Sequence, residues 1–238
     1  MSAPAKCWGV LPAAGVGTRM GGDQPKQYLE LAGATLLEHS LRALLASPRI
    51  VRVVVALHPD DQRAGQLSQL SDPRVVTTDG GAERADSVLA ALVALAGLAD
   101  DDDWVLVHDA ARPCLQLAEL EALIDAVLAA GVGGLLAEPV VDTVKQADAA
   151  GRVQATLERD ALWRAQTPQM FRLGPLRNAL QSARDQGLAV TDEASAMELA
   201  GHPVQLVTGS SRNLKVTVPA DLELAAWYLS QVAADDAG

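Results

Sequence analysis

The sequence predicts an α/β fold in which a mostly parallel sheet is covered by helices on both faces. Three observations predict it. Short apolar, β-branched runs alternate with stretches of helical spacing. The first of these runs leads directly into a glycine-rich turn. One long segment, Val140 to Phe171, carries polar–apolar alternation without a helical period.

Cys7 to Leu11 reads as the first strand. Leu36 to Leu45 places Leu37, Leu41, Leu44 and Leu45 on one helical face, and Thr35 with Glu38 predicts a capping box at its start. Val51 to Leu57 (VRVVVAL) is a second strand, ended by Pro59, with a polar helical stretch after it. Arg74 to Thr77 is a third strand, Glu83 to Ala96 a strongly apolar helix, and Trp104 to Val107 a fourth strand. Leu117 to Ala130 is a helix that Gly131 stops, and Gly134 to Pro139 is a fifth strand. This alternation predicts a Rossmann-like sheet, in which ligands bind beyond the carboxyl ends of the strands. Val140 to Phe171, with a turn-like DAAG at Asp148 to Gly151, reads as a β-hairpin arm leaving a single domain that spans residues 1–238. The chain returns through helices near Leu173 to Gln186 and Glu193 to Gly201. Strands at Val204 to Val207 and Leu214 to Val218 and a helix after Pro219 complete the reading.

Composition excludes several classes. The chain has 238 residues, 49% of them hydrophobic, and a net charge of -11. That charge argues against nucleic acid and anionic membrane surfaces as partners, but not against small phosphorylated ligands. The longest apolar stretch, Val88 to Ala99, is too short to span a bilayer, and the start of the chain lacks a basic n-region. The protein therefore reads as cytoplasmic. Cys7 and Cys114 read as two small buried hydrophobes. The four histidines are scattered, with no zinc-binding spacing, and there is no G-x-S-x-G elbow.

Four motifs carry the chemistry. In LPAAGVGTRMGGDQPKQY (Leu11 to Tyr28), Gly15 and Gly17 let backbone N–H groups approach an anion, and Arg19 and Lys26 bring two cations to the same loop. A nucleoside triphosphate needs that combination; alone, the loop reads equally as a glycine-rich turn with surface cations. It is neither a P-loop nor a dinucleotide fingerprint, whose third glycine position holds Met20. In VHDAARP (Val107 to Pro113), Asp109 would sit at the mouth of the sheet, suited to a magnesium ion or a sugar hydroxyl. Arg112 offers a fork for phosphate or carboxylate; a local Asp–Arg pair is the alternative. In TDGGAERADSV, Gly80 and Gly81 mark a tight turn and Ser87 is placed to read a base edge, or the stretch is an ordinary strand-to-helix turn. In RNLKVTVPADL, Lys215 either reaches the phosphates or is a surface lysine.

Taken together, the chain resembles the 2-C-methyl-D-erythritol 4-phosphate cytidylyltransferases. LPAAGVGTRM, PKQY, LLEHS, DGGAERADSV, VLVHDAARPC, DTVK, LWRAQTPQ, VTDEASAME and NLKVT occur in that family's order and spacing. The resemblance implies a nucleotidyltransferase-type fold and transfer of CMP from CTP to a polyol phosphate, with release of pyrophosphate. It implies that Arg19 and Lys26 stabilise the CTP phosphates and that Gly15 and Gly17 lie against the triphosphate. Pro12, Ala13, Ala14, Gly81 and Ser87 would bind CTP around its base. Lys215 and Arg159 would position the acceptor, and Asp109, Arg112, Thr143, Thr167 and Thr191 would contact it. Magnesium would bridge the triphosphate oxygens, with Asp109 as a candidate ligand. The arm would cross to a second subunit, so that Arg159 and Thr167 serve the partner's site in a homodimer. Ala82 stands where the family often carries an acidic residue, which leaves base contacts there to the backbone. The nearest rival acceptor is ribitol 5-phosphate, disfavoured by the DTVK and TDEASAME matches. A nicotinamide-dependent oxidoreductase is disfavoured by the absent third glycine and the absent acidic residue after VRVVVAL.

Overall fold

Alternation along the strands decides which side chains meet which helix layer. The computed structural model describes residues 6–15 and 24–235; Gly17 and Arg19 lie outside them. Strand β1 (Cys7–Pro12), a minor hairpin of β2 (Glu30–Leu31) and β3 (Ala34–Thr35), and helix α1 (Leu36–Leu45) come first. Strand β4 (Ile50–Leu57), β5 (Val75–Asp79), α2 (Arg84–Leu95), β6 (Trp104–Val107), α3 (Leu117–Ala130) and β7 (Gly134–Pro139) follow. In β4, Val53 and Val55 pack against α1 and α3, while Val54 and Ala56 pack against α2 on the opposite face. Leu106 in β6 joins the first face and its neighbours Val105 and Val107 the second. Both faces of the sheet are thus buried, which is why the strands read as continuous apolar runs.

Local chemistry sets the helix ends. The hydroxyl of Thr35 accepts from the Glu38 N–H, and the Glu38 carboxylate accepts from the Thr35 N–H, completing the predicted capping box of α1. Gly131 closes α3 at φ 66°, a left-handed position natural to glycine.

The remainder comprises β8 (Val144–Ala147), β9 (Val153–Leu157), β10 (Trp163–Arg172), α4 (Leu173–Asp185), α5 (Glu193–Leu199), β11 (Gln205–Thr208) and α6 (Pro219–Asp235). The main sheet has seven strands in the order β11-β7-β10-β6-β1-β4-β5, and β10 runs antiparallel to both its neighbours.

Three expectations are corrected. The arm is shorter than Val140 to Phe171: β8 and β9 form an isolated two-stranded hairpin, but the chain re-enters the main sheet at Trp163. Polar Gln166, Thr167 and Gln169 break up the apolar run of β10, so it does not read as a core strand, although all three are buried. The polar stretch after Pro59 forms two short 3-10 turns, Ala64–Gln66 and Ser68–Ser71, separated by extended Leu67. Leu214 to Val218 is not a strand. The Val216 N–H donates to the Ala111 carbonyl, while the N–H groups of Thr217 and Val218 donate to the Asp221 carboxylate at the start of α6. No ladder partner is left for it.

Candidate active site

A cavity of about 320 Å³ opens at the carboxyl ends of the strands. Of the residues singled out from sequence, Pro12, Ala13, Ala14, Gly15, Lys26, Gly81, Ser87, Asp109 and Lys215 line it. Three backbone turns build its floor. After β1, the Ala13 N–H donates to the Ala56 carbonyl, extending the parallel ladder by one residue. The amide of buried Gln27 donates to the carbonyls of Ala13 (2.8 Å) and Gly15 (2.9 Å). Gln27 so occupies the acceptor side of the loop, the side that would repel a phosphate.

After β5, the second turn presses on the first. A Cβ on Gly80 would lie 2.5 Å from the Ala14 Cβ, and one on Gly81 would run into the Asp86 side chain. Glycine is required here by close approach. The Ser87 hydroxyl, one turn into α2, accepts from the Gly81 N–H (3.1 Å) and donates to the Glu83 carbonyl (3.1 Å). Ser87 lines the cavity but spends its hydroxyl on holding the turn, which presents the Gly81 and Ala82 backbone.

The third turn, after β6, carries a charge cluster. Asp109 is 6% exposed. Its carboxylate meets Arg84 Nε at 2.8 Å, Lys215 Nζ at 2.9 Å and Arg112 Nε at 3.6 Å. Burial alone would raise its pKa, but Arg84 and Lys215 hold the carboxyl well below the usual range. Arg84 also grips Glu193 with both η nitrogens, at 2.7 and 3.0 Å. Burial works against the Arg84 charge; Glu193 and Asp109 outweigh it and raise its pKa.

His108 supports this turn from beneath. Its Nε2 lies 3.0 Å from the Arg112 carbonyl and its Nδ1 2.9 Å from Thr167 Oγ1. The carbonyl can only accept, so Nε2 carries the proton and the Thr167 hydroxyl donates to Nδ1. Thr167 Oγ1 in turn accepts from the Asp109 N–H at 3.0 Å. Full burial pushes the His108 pKa down to about 4, so the ring is neutral at pH 7.

Several predicted residues are placed otherwise. Thr167 stands beside Asp109 of its own chain rather than on the arm, because β10 has already rejoined the sheet. The Arg112 guanidinium donates to the Asn213 carbonyl at 2.6 Å and does not line the cavity. Buried Asn213 donates to the Thr167 carbonyl at 2.7 Å, so Arg112 and Asn213 together moor the segment that carries Lys215. Thr143 and Arg159 are exposed on the arm, where Arg159 Nη1 donates to the Val141 carbonyl. Thr191 is exposed before α5, its N–H donating to Ser195 Oγ. None of these three enters the cavity of its own chain.

Asp109 does not fit a resident metal. Three cations already occupy its surroundings, and among the described residues no three His, Cys, Asp or Glu side chains gather to hold an ion. Sequence reasoning also missed Gln27, Arg84, His108, Glu193 and Asn213. Each sits inside a quoted motif; Gln27 bonds to Ala13 and Gly15 within its own motif, but Arg84, His108, Glu193 and Asn213 have partners far along the chain, and spacing within a motif gives no sign of those.

Comparison with known proteins agrees with this geometry. The family described as IspD: 2-C-methyl-D-erythritol 4-phosphate cytidylyltransferase matches residues 8–231. A protein of that name from Pseudomonas putida (strain GB-1) is 55% identical over 217 residues, covering 91% of this chain and 92% of its own. One from Aeromonas hydrophila subsp. hydrophila is 52% identical over 222 residues, covering 93% and 89%. Among solved structures, the enzyme of the same name from Francisella tularensis superposes with a TM-score of 0.81 at 36% identity, covering 94% of this chain and all of that one.

Proposed function

This chain belongs to the 2-C-methyl-D-erythritol 4-phosphate cytidylyltransferase family, and from that premise we propose how its own residues carry out the reaction. The enzyme transfers CMP from CTP to 2-C-methyl-D-erythritol 4-phosphate and releases pyrophosphate, in the non-mevalonate route to isoprenoid precursors. A phosphate oxygen of the acceptor attacks the α-phosphorus of CTP. The bond from that phosphorus to the oxygen bridging to the β-phosphate breaks, and pyrophosphate carries the electron pair away. A phosphate monoester is already an anionic nucleophile, so the step needs positioning and charge neutralisation rather than a base. His108, beneath the site, is neutral and has both ring nitrogens engaged in support of the turn.

The observation that carries the assignment is the convergence of two glycine turns with Lys26 and Lys215 around one cavity. In this reading Lys26, with Arg19, neutralises charge developing on the triphosphate, and Lys215 faces the acceptor phosphate. The backbone of Ala13, Ala14 and Gly81 receives the cytidine. Magnesium would enter with CTP as part of the substrate and would supply further charge neutralisation, since Asp109 is already held by three cations. Val141, Val153, Leu157 and Trp163 leave apolar surface exposed on and beside the arm. That surface supports a homodimer in which Arg159 and Thr143 complete the partner's site. Among the described residues no helix is long and apolar enough to cross a membrane. Both substrates are charged and poorly membrane-permeant, which supports a cytoplasmic enzyme.

Pyrophosphate release measured with CTP, magnesium and either methylerythritol phosphate or ribitol 5-phosphate tests the reading. Turnover should favour methylerythritol phosphate; no release with either acceptor overturns the assignment. Arg19→Ala should lower kcat far more than it weakens CTP binding, and unchanged turnover would remove Arg19 from the mechanism.

A further inference from the structure

Glu193 is 1% exposed, distant from Asp109 in sequence, and does not line the cavity. Its backbone is fixed from the sheet. Gln169 of β10, itself buried, accepts from the Ala194 N–H at 2.8 Å and donates to the Asp192 carboxylate at 2.9 Å, which pins the first turn of α5. From there the Glu193 carboxylate takes both η nitrogens of Arg84. Only Arg84 Nε is left to face Asp109, and it meets one oxygen, Oδ1. The other oxygen, Oδ2, is thereby left to Lys215 at 2.9 Å and to Arg112 at 3.6 Å.

This division has a consequence for Lys215. A guanidinium is a rigid fork that prefers to hold a carboxylate through two nitrogens. Without Glu193, the fork of Arg84 has one carboxylate left, that of Asp109, and two nitrogens to offer it. Turning to hold both oxygens would displace the Lys215 ammonium from Oδ2. The Lys215 side chain is 39% exposed and sits in a segment outside the sheet, so this ion pair is a main restraint on where its charge stands.

We infer that Glu193 is a positioning residue for CMP transfer: by occupying the fork of Arg84 it reserves one oxygen of Asp109 for Lys215, and so holds the Lys215 ammonium against the cavity. The inference rests on the role given to Lys215 above. Glu193 touches neither substrate. Its influence runs through a relay of ion pairs, Glu193–Arg84–Asp109–Lys215, linking α5 to α2, to the turn after β6, and to the segment before α6. Three cations face two carboxylates in the cluster, so the relay also leaves positive charge at the wall where an anionic acceptor would stand.

Steady-state pyrophosphate release by the full-length protein tests this, alongside circular dichroism melting. Glu193→Gln should lower kcat roughly 10- to 100-fold, the range for a displaced catalytic group. The KM for CTP should change less than about threefold, because the loss falls on the transition state. In a Lys215→Ala background, adding Glu193→Gln should cost little more, since both act through one ammonium. A folded Glu193→Gln enzyme with wild-type kcat overturns the inference. So do losses that multiply in the double variant, which would mark a separate, merely structural role. If Glu193→Gln does not fold, Glu193→Asp takes its place. It keeps the charge but draws the carboxylate back from the fork of Arg84, and must show a kcat loss and the same non-additivity with Lys215→Ala, or the inference fails. A wild-type protein that releases no pyrophosphate sinks the assigned reaction instead, while an active wild type with an indifferent Glu193→Gln sinks only the relay.

Discussion

The carboxyl edge of the sheet and the arm bear candidate site residues in opposite physical settings. At the sheet edge, Asp109, Thr167, Arg112 and Asn213 are buried, and each has partners within its own chain. On the arm, Thr143 and Arg159 are exposed, and among the described residues β8 pairs only with β9. The first region is preorganised by its own fold. The second has its hairpin pairing but leaves its site residues exposed, as the proposed homodimer requires. The two regions should therefore fail differently: damage at the sheet edge should affect stability and turnover together, and damage on the arm should affect turnover alone.

The largest effect is expected at the cavity wall. Lys215→Ala should lower kcat by roughly 10²- to 10³-fold, the usual cost of removing a preorganised charge from a transition state. A pyrophosphate assay showing less than a few-fold loss would move the catalytic weight elsewhere. His108 comes next. Its folded pKa lies near 4, below the ordinary 6.5, so folding excludes a proton. The stability this gives is fully present above pH 6.5 and is lost as pH falls from there to about 4, by about 3 kcal/mol. His39, also depressed by burial, adds in the same direction. Denaturant unfolding between pH 8 and 4 should show the decline, and a flat profile would contradict the buried neutral ring. Thr167→Val should cost about 1–3 kcal/mol, because it strips His108 Nδ1 and the Asp109 N–H of their shared partner. Turnover should fall with it.

The smallest stability effect belongs to the arm. Arg159→Ala should shift unfolding by less than about 0.5 kcal/mol, as exposed sites do, yet lower activity. Mixing inactive Arg159→Ala with inactive Lys215→Ala protein should recover activity if each site draws on two chains. A mixture as inactive as its parts would confine the site to one chain and erase the contrast between the regions.

The same contrast explains what could be read in advance. Strand β6, helix α3 with its Gly131 stop, and the capping box of α1 were legible because their determinants are local: a β-branched run, an apolar stripe, a cap three residues from its partner. Most residues lining the cavity were legible through the order and spacing of motifs along the whole chain, since the glycine-and-lysine loop alone reads equally as a turn with surface cations; Gln27 and Arg84, which also line it, were not. Nor were the supports. Arg84 finds Glu193 across 109 positions, and Arg112 finds Asn213 across 101. Strand β10 was hidden for a related reason: the buried polar residues that hold the site interrupt the apolar signal of the strand that carries them.

The placement of β10 bears on how the chain is made. It lies between β6 and β7, yet both leave the ribosome before it. Until β10 arrives, each presents an open edge of unpaired backbone groups, and β6 and β7, joined through α3, are free to pair with each other as an ordinary parallel crossover. The hairpin is synthesised in that interval. Its base is closed by the Val140 N–H and the Leu162 carbonyl at 3.0 Å, which delivers Trp163 directly beside Pro139. A short, locally closed loop brings its ends together at small entropic cost. The closed hairpin thus has a geometric consequence apart from its exposed surface: it sets the first residue of the late strand in register beside the last residue of β7.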